Sequence, residues 1–303
     1  MVTDVPALSE NRFNCRFCGV CLGRGCVGQM PGMGGVDSSR NFILNCGGWD
    51  KIPLEKDVSV TAENLGIAPV TGAVQNIGFN SEEDFYFPYF SAAQREGISV
   101  CVGDGAPDEK LKLGLAAVRN LGIKAYFFLK PYSNERLFER IDWIEGNALA
   151  AGIDIDAYNI VSMRNQAKLE KKSSAQLDEF RKYSKLPLAI KGVFTKEDIE
   201  LCKALKPEII IVSNHGGRVE TETGSTAEFL QANAKILKSC CEELWVDGGI
   251  RKKRDIQVAV SLGAKKCLAA RPFISALCKG IENGGTELGV QKMVKEINVM
   301  LMR

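Results

Sequence analysis

From residue 65 onward the chain alternates short apolar runs with longer amphipathic segments, and this alternation is the feature that most limits its fold. The runs are rich in β-branched residues and predict buried strands, while the segments between them have helical periodicity. Strands are predicted at residues 65–70, 98–103, 124–129, 152–156, 186–192, 208–214, 243–249 and 264–270. Helices are predicted at residues 82–96, 108–121, 134–150, 173–184, 195–204, 226–240, 253–262 and 272–302.

Eight strands, each followed by a helix, favour one α/β architecture over the others. Spread over roughly 240 residues, they match the (β/α)8 TIM barrel better than an open doubly wound sheet. We therefore predict two parts: a cysteine-rich N-terminal extension at residues 1–64 and a barrel at residues 65–303.

Composition excludes several classes of partner. Formal net charge is only +2, so no global field attracts nucleic acid or a membrane surface. The first 13 residues lack the apolar core of a signal peptide, and no run reaches the ~20 apolar residues of a membrane span. The sequence thus predicts a cytoplasmic protein that binds neither nucleic acid nor a membrane.

His215 is the only histidine of the chain and lies in the string SNHGGR, residues 213–218. This string follows the apolar run at 207–212, so His215 is predicted just past the carboxyl end of a strand. Functional side chains of parallel α/β folds lie at those ends, which favours a functional histidine over one satisfied in the core. Gly216 and Gly217 allow close backbone approach, and Arg218 supplies an anion-binding guanidinium.

Other predicted strands also end in residues suited to anions. Lys191 ends the fifth strand, where a lysine that faces an anion is favoured over a core lysine that reaches solvent. The seventh and eighth strands are followed by the residues expected to hold a phosphate, through backbone N–H groups and guanidinium groups. These residues are Asp247, Gly248, Gly249, Arg251 and Arg271.

Four strings carry a family resemblance: LPLAIKGVFTKEDI (186–199), IIIVSNHGGR (209–218), WVDGGIRKKRDIQVAVSLGA (245–264) and AARPF (269–273). They resemble the FMN-dependent α-hydroxy acid oxidases and dehydrogenases, which include glycolate oxidase, lactate oxidase and flavocytochrome b2. The resemblance is strong over residues 186–280 and weaker before them. It implies an FMN-binding barrel that oxidises a small 2-hydroxy acid to the 2-oxo acid, and a homo-oligomer.

The resemblance also implies a role for individual residues. His215 matches the base, Asp156 the acid that orients it, and Arg218 the clamp on the substrate carboxylate. Lys191 matches the lysine beside flavin N1 and O2. Further FMN-binding residues are expected at Ala68, Pro69, Val70, Ser213, Asp247, Gly248, Gly249, Arg251, Ala270 and Arg271.

Several positions depart from the family pattern. Phe128 and Lys130 stand where the family has Gln and Tyr near flavin and substrate, so Lys130 is a candidate substrate contact. Asp154 replaces a Thr, Ala270 replaces a phosphate-loop glycine, and Arg164 is only an approximate match to a second substrate arginine. The departures predict a rebuilt substrate pocket on a retained flavin cradle.

Four of the 11 cysteines, Cys15, Cys18, Cys21 and Cys26, lie within twelve residues of the predicted extension. Their spacing allows the thiolates to converge on one metal centre and suits an iron–sulfur cluster. A structural zinc is an alternative, and so are reduced thiols that bind nothing. The other seven cysteines are scattered and predicted to be small buried hydrophobes.

Two further functions compete with hydroxy acid oxidation. Another FMN barrel, such as an isopentenyl diphosphate isomerase or a nucleotide dehydrogenase, would share the phosphate-binding strings, but SNHGGR counts against it. A non-catalytic flavin- or metal-binding barrel is supported by the missing Gln and Tyr. Anaerobic bleaching of the flavin by 2-hydroxy acids separates an enzyme from a binding protein.

Overall fold

The computed structural model describes residues 40–54, 57–160, 167–219 and 221–301. The strands within these ranges are β1 Leu65–Ile67, β2 Cys101–Gly103, β3 Ala125–Leu129, β4 Ala148–Asp154, β5 Leu188–Val193, β6 Ile209–Val212, β7 Glu243–Asp247 and β8 Lys266–Ala269. The α-helices are α1 Arg40–Gly48, α2 Glu83–Arg95, α3 Glu109–Asn120, α4 Asn134–Ile144, α5 Ser174–Ser184, α6 Lys196–Leu205, α7 Thr226–Lys238, α8 Lys253–Ser261 and α9 Arg271–Leu301.

The eight strands form one parallel sheet in which β2 to β8 pair in chain order and β1 pairs with β8. The remaining side closes through bridges between Gly66 and Ser99 and between Val70 and Val102. A helix follows every strand, which confirms the predicted TIM barrel. All eight carboxyl ends therefore open on one face.

Side chains fill the barrel, so its interior is a packed core. A cluster of buried side chains inside it takes members from seven of the strands, including Phe128, Ile211 and Trp245. A larger cluster lies between the sheet and the surrounding helices. Strands covered on both faces need apolar residues throughout, which explains why all four residues of β6 are buried.

The largest error in a predicted boundary lies between α4 and β4. The helix expected over 134–150 ends at Ile144, and β4 already begins at Ala148. Residues 148–152 read ALAAG, and alanine and leucine favour a helix in isolation. Their place between β3 and β5 overrides that propensity.

Helix α1 lies on the carboxyl-terminal face of the barrel, although its residues were assigned to the extension. Nδ2 of Asn45 donates to Oδ1 of Asn214 over 2.7 Å, and Oδ1 of Asn45 accepts from the Thr226 backbone N–H over 3.0 Å. Nε1 of Trp49, just after α1, donates to the Gly248 carbonyl over 2.9 Å. Helix α1 thus joins the turns after β6 and β7, and the domain boundary near residue 64 stays a prediction.

Candidate active site

Charged side chains at the ends of β3, β4, β5 and β7 converge at the carboxyl-terminal face. Asp154 ends β4 and pairs in register with Lys191 of β5. Lys130 directly follows β3, and Asp247 ends β7. All four side chains are buried, in a part of the fold where charge is costly unless it is paired.

The single histidine is held by a carboxylate. Nδ1 of His215 lies 2.9 Å from Oδ1 of Asp156, two residues past β4. An ionised carboxylate only accepts hydrogen bonds, so Nδ1 carries the hydrogen and Nε2 is left to accept a proton. The structure therefore brings together the predicted base and the acid predicted to orient it.

Gly192, beside Lys191, makes room for this pair. A Cβ at this position would lie 2.5 Å from Cγ of Asp156, and the backbone φ of +96° lies in the region that favours glycine. Only glycine allows β5 to pass this close to the Asp156 carboxylate.

The turn after β6 holds His215 in an uncommon conformation. Its φ is 57°, which few residues other than glycine adopt. The turn is stabilised by Oγ of Ser213, which accepts from the His215 N–H over 3.1 Å, and by Oδ1 of Asn214, which accepts from the Gly217 N–H over 3.0 Å. Such strain persists only where the surroundings hold it, and it is concentrated at functional sites.

An ion-pair cluster lies on the Nε2 side of the histidine. Nζ of Lys130 is 2.7 Å from Oδ2 of Asp154 and 3.4 Å from Nε2 of His215. Nζ of Lys191 is 3.2 Å from Oδ1 of Asp154 and 3.4 Å from Oδ2 of Asp247. Asp154 thus connects two ammonium groups and lies 3.8 Å from Nε2 itself.

These neighbours set the protonation of the cluster. Burial lowers the pKa of His215, Asp156 and Asp154 oppose this, and Lys191 and Lys130 reinforce it, with a net decrease. Burial raises the pKa of Asp154, but the two lysines and the histidine outweigh it and hold that pKa well below its ordinary range. At neutral pH the imidazole is neutral and Asp154 is ionised.

Three guanidinium groups form a second cluster. Burial, together with the nearby charges of Arg251 and Arg218, lowers the pKa of Arg271 to about 9. Burial also lowers the pKa of Arg218 to about 10. Arg271 lies against α1, with its guanidinium 4.5 Å from the Phe42 ring centroid. All three side chains are half-buried, and guanidinium groups close enough for their charges to interact suit a phosphate dianion, which can accept from more than one of them.

The residues expected to bind FMN suit that cofactor. Gly248 and Gly249, both with positive φ, form the turn between Asp247 and Arg251 and lie by the arginine cluster. Oδ1 of Asp247 is buried, and no group among the described residues donates to it, so it can accept from a ligand hydroxyl. Guanidinium groups, a glycine turn whose backbone N–H groups can bind an anion, and a carboxylate oxygen that can accept a hydrogen bond thus lie close together. A ligand with a phosphate and a polyol chain requires these groups.

The other predicted site residues are distributed as follows. Ser213 contacts the cluster, since Nζ of Lys191 donates to its Oγ over 3.3 Å. The Ala68 N–H donates to the Ala269 carbonyl over 2.8 Å, which places residues 68–70 and Ala270 at neighbouring strand ends. Arg164 and the four clustered cysteines lie outside the described residues, so iron–sulfur or zinc binding stays a prediction.

Sequence reasoning missed two contributors. Asp154 was noted only as a replacement for Thr, yet it connects both lysines to the histidine. Asn45 was assigned to the extension, yet its side chain holds the turn after β6. The only sequence signal for Asp154 was a carboxylate at the end of an otherwise apolar strand. Nothing in the local sequence marks Asn45.

A metal ion does not suit the histidine cluster. Asp154, Asp156 and His215 bring three potential ligand atoms within 4.8 Å of one another. The ammonium groups of Lys130 and Lys191 lie among the same atoms and would repel a cation. We therefore assign these residues to proton and anion chemistry.

Comparisons with known proteins show which family and fold this chain is similar to. The family model for FMN-dependent dehydrogenases matches residues 153–302. The chain is 39% identical to human 2-hydroxyacid oxidase 2 over 113 residues, which are 37% of this chain and 32% of the human protein. It is 33% identical to the L-lactate dehydrogenase (cytochrome) of Saccharomyces cerevisiae over 130 residues, 41% of this chain and 22% of the yeast protein. The matches thus span about a third or less of these relatives.

Similarity of structure extends further along the chain. A mandelate oxidase solved with (S)-4-hydroxymandelic acid superposes with a TM-score of 0.68 at 17% identity, covering 93% of this chain and 87% of the oxidase. At this identity the likeness shows the shared fold alone. Among the described residues, no helix is long and apolar enough to cross a bilayer.

Proposed function

The chain belongs, through residues 153–302, to the FMN-dependent α-hydroxy acid oxidase family, and we propose that it oxidises a small 2-hydroxy acid to the 2-oxo acid. His215 acts as the base and Arg218 binds the substrate carboxylate. The observation that carries the proposal is the 2.9 Å contact between Nδ1 of His215 and Asp156, which leaves Nε2 as proton acceptor at the barrel mouth.

His215 takes the proton of the substrate at Nε2, and Asp156 stabilises the imidazolium that results. This is the arrangement of a triad carboxylate and its histidine, in which the carboxylate orients the ring and stays ionised. Because burial holds the imidazole neutral, the base is ready to accept a proton at neutral pH.

Arg218 follows the histidine by three residues, so it can bind a carboxylate whose neighbouring carbon faces Nε2. Lys130, with Nζ 3.4 Å from Nε2, is a second donor for the hydroxyl or carboxylate of the substrate. It stands where the family pattern has Tyr, so it is expected to help select the substrate.

FMN supplies the two-electron acceptor when bound. Arg251, Arg271 and the N–H groups of Gly248 and Gly249 would hold its phosphate, and Asp247 would accept from its ribityl chain. Lys191 would supply positive charge to the ring. The strand-end residues 68–70, with Ser213 and Ala270, would complete the cradle.

An anaerobic substrate panel tests the proposal. Wild-type protein and a His215→Ala variant, both loaded with FMN, are mixed with 2-hydroxy acids of different side chains, and flavin absorbance is followed. We expect at least one acid to bleach the wild type, and the variant to keep bound FMN but lose bleaching by about 10²-fold or more.

Two results would contradict this. A yellow wild-type protein that no 2-hydroxy acid bleaches would indicate a flavin-binding protein without this activity. Bleaching at an unchanged rate in His215→Ala would exclude the histidine as base. The homo-oligomeric state and the cytoplasmic location stay predictions.

A further inference from the structure

The net charge around His215 depends on Asp154, which stands where the family pattern has Thr. Lys130 and Lys191 provide two positive charges, and Asp154, Asp156 and Asp247 provide three negative ones. With a neutral imidazole, these five groups carry one excess negative charge, the guanidinium groups of Arg218 and Arg271 not being counted. Uptake of one proton by His215 brings this set of five side chains and the imidazole to neutrality.

We propose that Asp154 is a positioning residue for the base: its carboxylate supplies the negative charge that allows Nε2 of His215 to hold a proton beside two ammonium groups. This inference rests on the proposed role of His215 and assigns to Asp154 a part in the reaction beyond that function. Asp156 stabilises the protonated ring from the Nδ1 side, and Asp154 does so from the opposite side.

The distances around Nε2 support the assignment of Asp154 to this side of the ring. Oδ2 of Asp154 lies 3.8 Å from Nε2, while Nζ of Lys130 lies 3.4 Å from the same nitrogen. A neutral Nε2 accepts from Lys130. Once Nε2 carries a proton it can no longer accept a hydrogen bond from Lys130. Among the residues that the structure describes, the anionic group next to the protonated Nε2 is the Asp154 carboxylate. The 2.7 Å contact between Lys130 and that carboxylate does not involve Nε2, so protonation of the ring does not require it to break.

Burial strengthens the effect of the Asp154 charge on the imidazole. The Asp154 side chain is 2% exposed, so solvent screens it little. The other charged groups around the ring are Asp156 from the turn after β4, Lys191 from β5, Arg218 from its own turn, and Arg271 of α9, which donates to the Gly216 carbonyl. Removal of Asp154 would leave the ammonium groups of Lys130 and Lys191 beside the ring without the carboxylate that pairs with both of them.

Because the chain has one histidine, the proposal can be tested without turnover. Protein carrying ¹³C-labelled histidine and a purification tag free of histidine is titrated by NMR in its FMN-bound form. A single imidazole resonance then reports the protonation midpoint of His215. We compare wild type with Asp154→Asn, with Asp154→Glu and with Lys130→Met.

The expected results differ in sign between variants. Asp154→Asn lowers the midpoint by about one pH unit or more, the size expected for loss of an opposite charge at ~4–6 Å. Lys130→Met raises it, because a cation near Nε2 is lost. Asp154→Glu keeps the charge and stays closer to wild type than Asp154→Asn. The double variant Asp154→Asn with Lys130→Met lies between the two single variants.

A control and two contrary outcomes complete the design. Glu82→Gln removes another buried carboxylate, which accepts from the Gly72 and Ala73 N–H groups and the Tyr86 hydroxyl, and should leave the midpoint unchanged. A midpoint in Asp154→Asn equal to or above wild type would overturn the inference. If Asp154→Asn does not fold, Lys130→Met decides, and an unchanged or lower midpoint in it overturns the inference. Failure of the substrate panel would refute the proposed function instead, since the titration needs no substrate.

Discussion

Replacement of Gly192 by alanine tests whether close packing against Asp156 aligns the base. The new Cβ would lie 2.5 Å from both Cγ and Oδ1 of Asp156, a distance at which the carboxylate must move. Alanine at φ +96° costs about 1–2 kcal/mol of backbone strain. Disruption of the charged hydrogen bond to His215 adds about 1.5–3 kcal/mol. The free energy of unfolding should therefore fall by about 2.5–5 kcal/mol.

Gly122→Ala is the matched control. Its φ is +64°, but a Cβ there would meet nothing within 4 Å, so only the backbone strain of about 1–2 kcal/mol remains. Both variants are measured by urea denaturation and by the rate of anaerobic flavin reduction. Gly192→Ala should slow reduction by about 10²-fold or more, because misplacement of a catalytic group costs that much. Equal stability losses and equal reduction rates in the two variants would refute the reasoning.

Three further predictions concern the cofactor, α1 and pH. Arg271→Met should weaken FMN binding about 10- to 100-fold in a fluorescence titration, because a charged hydrogen bond contributes about 1.5–3 kcal/mol. The control variant Arg95→Met, which removes an exposed ion pair, should leave the affinity for FMN unchanged. Asn45→Ala should lower the free energy of unfolding by about 2–4 kcal/mol, because the buried hydrogen bonds of the Asn45 side chain are lost. Ile43→Ala, at a 50% exposed position of the same helix, should change the free energy of unfolding by less than about 1 kcal/mol. The pKa of Asp154 in the folded protein lies below its ordinary value of 3.8, so the ionised carboxylate stabilises the fold above pH 3.8 and this stabilisation is lost as the pH falls toward the folded-state pKa. Asp154→Asn should therefore be less stable than wild type by about 3 kcal/mol at pH 7, and this difference should become smaller below about pH 4. A difference that becomes larger below pH 4 would contradict the prediction.

The fold was largely predictable because each strand carries its own local signal. Runs such as residues 209–212 are apolar throughout, and only a strand covered on both faces needs that pattern. The failure at residues 148–150 has the opposite cause, because alanine and leucine fit either element and pairing with β3 decides. Local propensity cannot supply that information.

The site was predictable where a residue's role follows from its place at a strand end. Asp156 and His215 were paired from the family resemblance, and the structure brings them within 2.9 Å. The contribution of Asp154 could not be read in this way, because it depends on the register that sets it beside Lys191. The contact of Asn45 with the turn after β6 joins residues 169 positions apart, and no local pattern specifies such a pair.

The central claim is that the residues at the barrel mouth combine with FMN to oxidise a 2-hydroxy acid. A single-turnover experiment tests it directly: FMN-loaded protein is mixed anaerobically with the acid that bleaches it best, and the product is quantified by mass spectrometry. We predict one equivalent of 2-oxo acid for each FMN reduced. Flavin reduction without 2-oxo acid, or no reduction by any 2-hydroxy acid, would contradict the account.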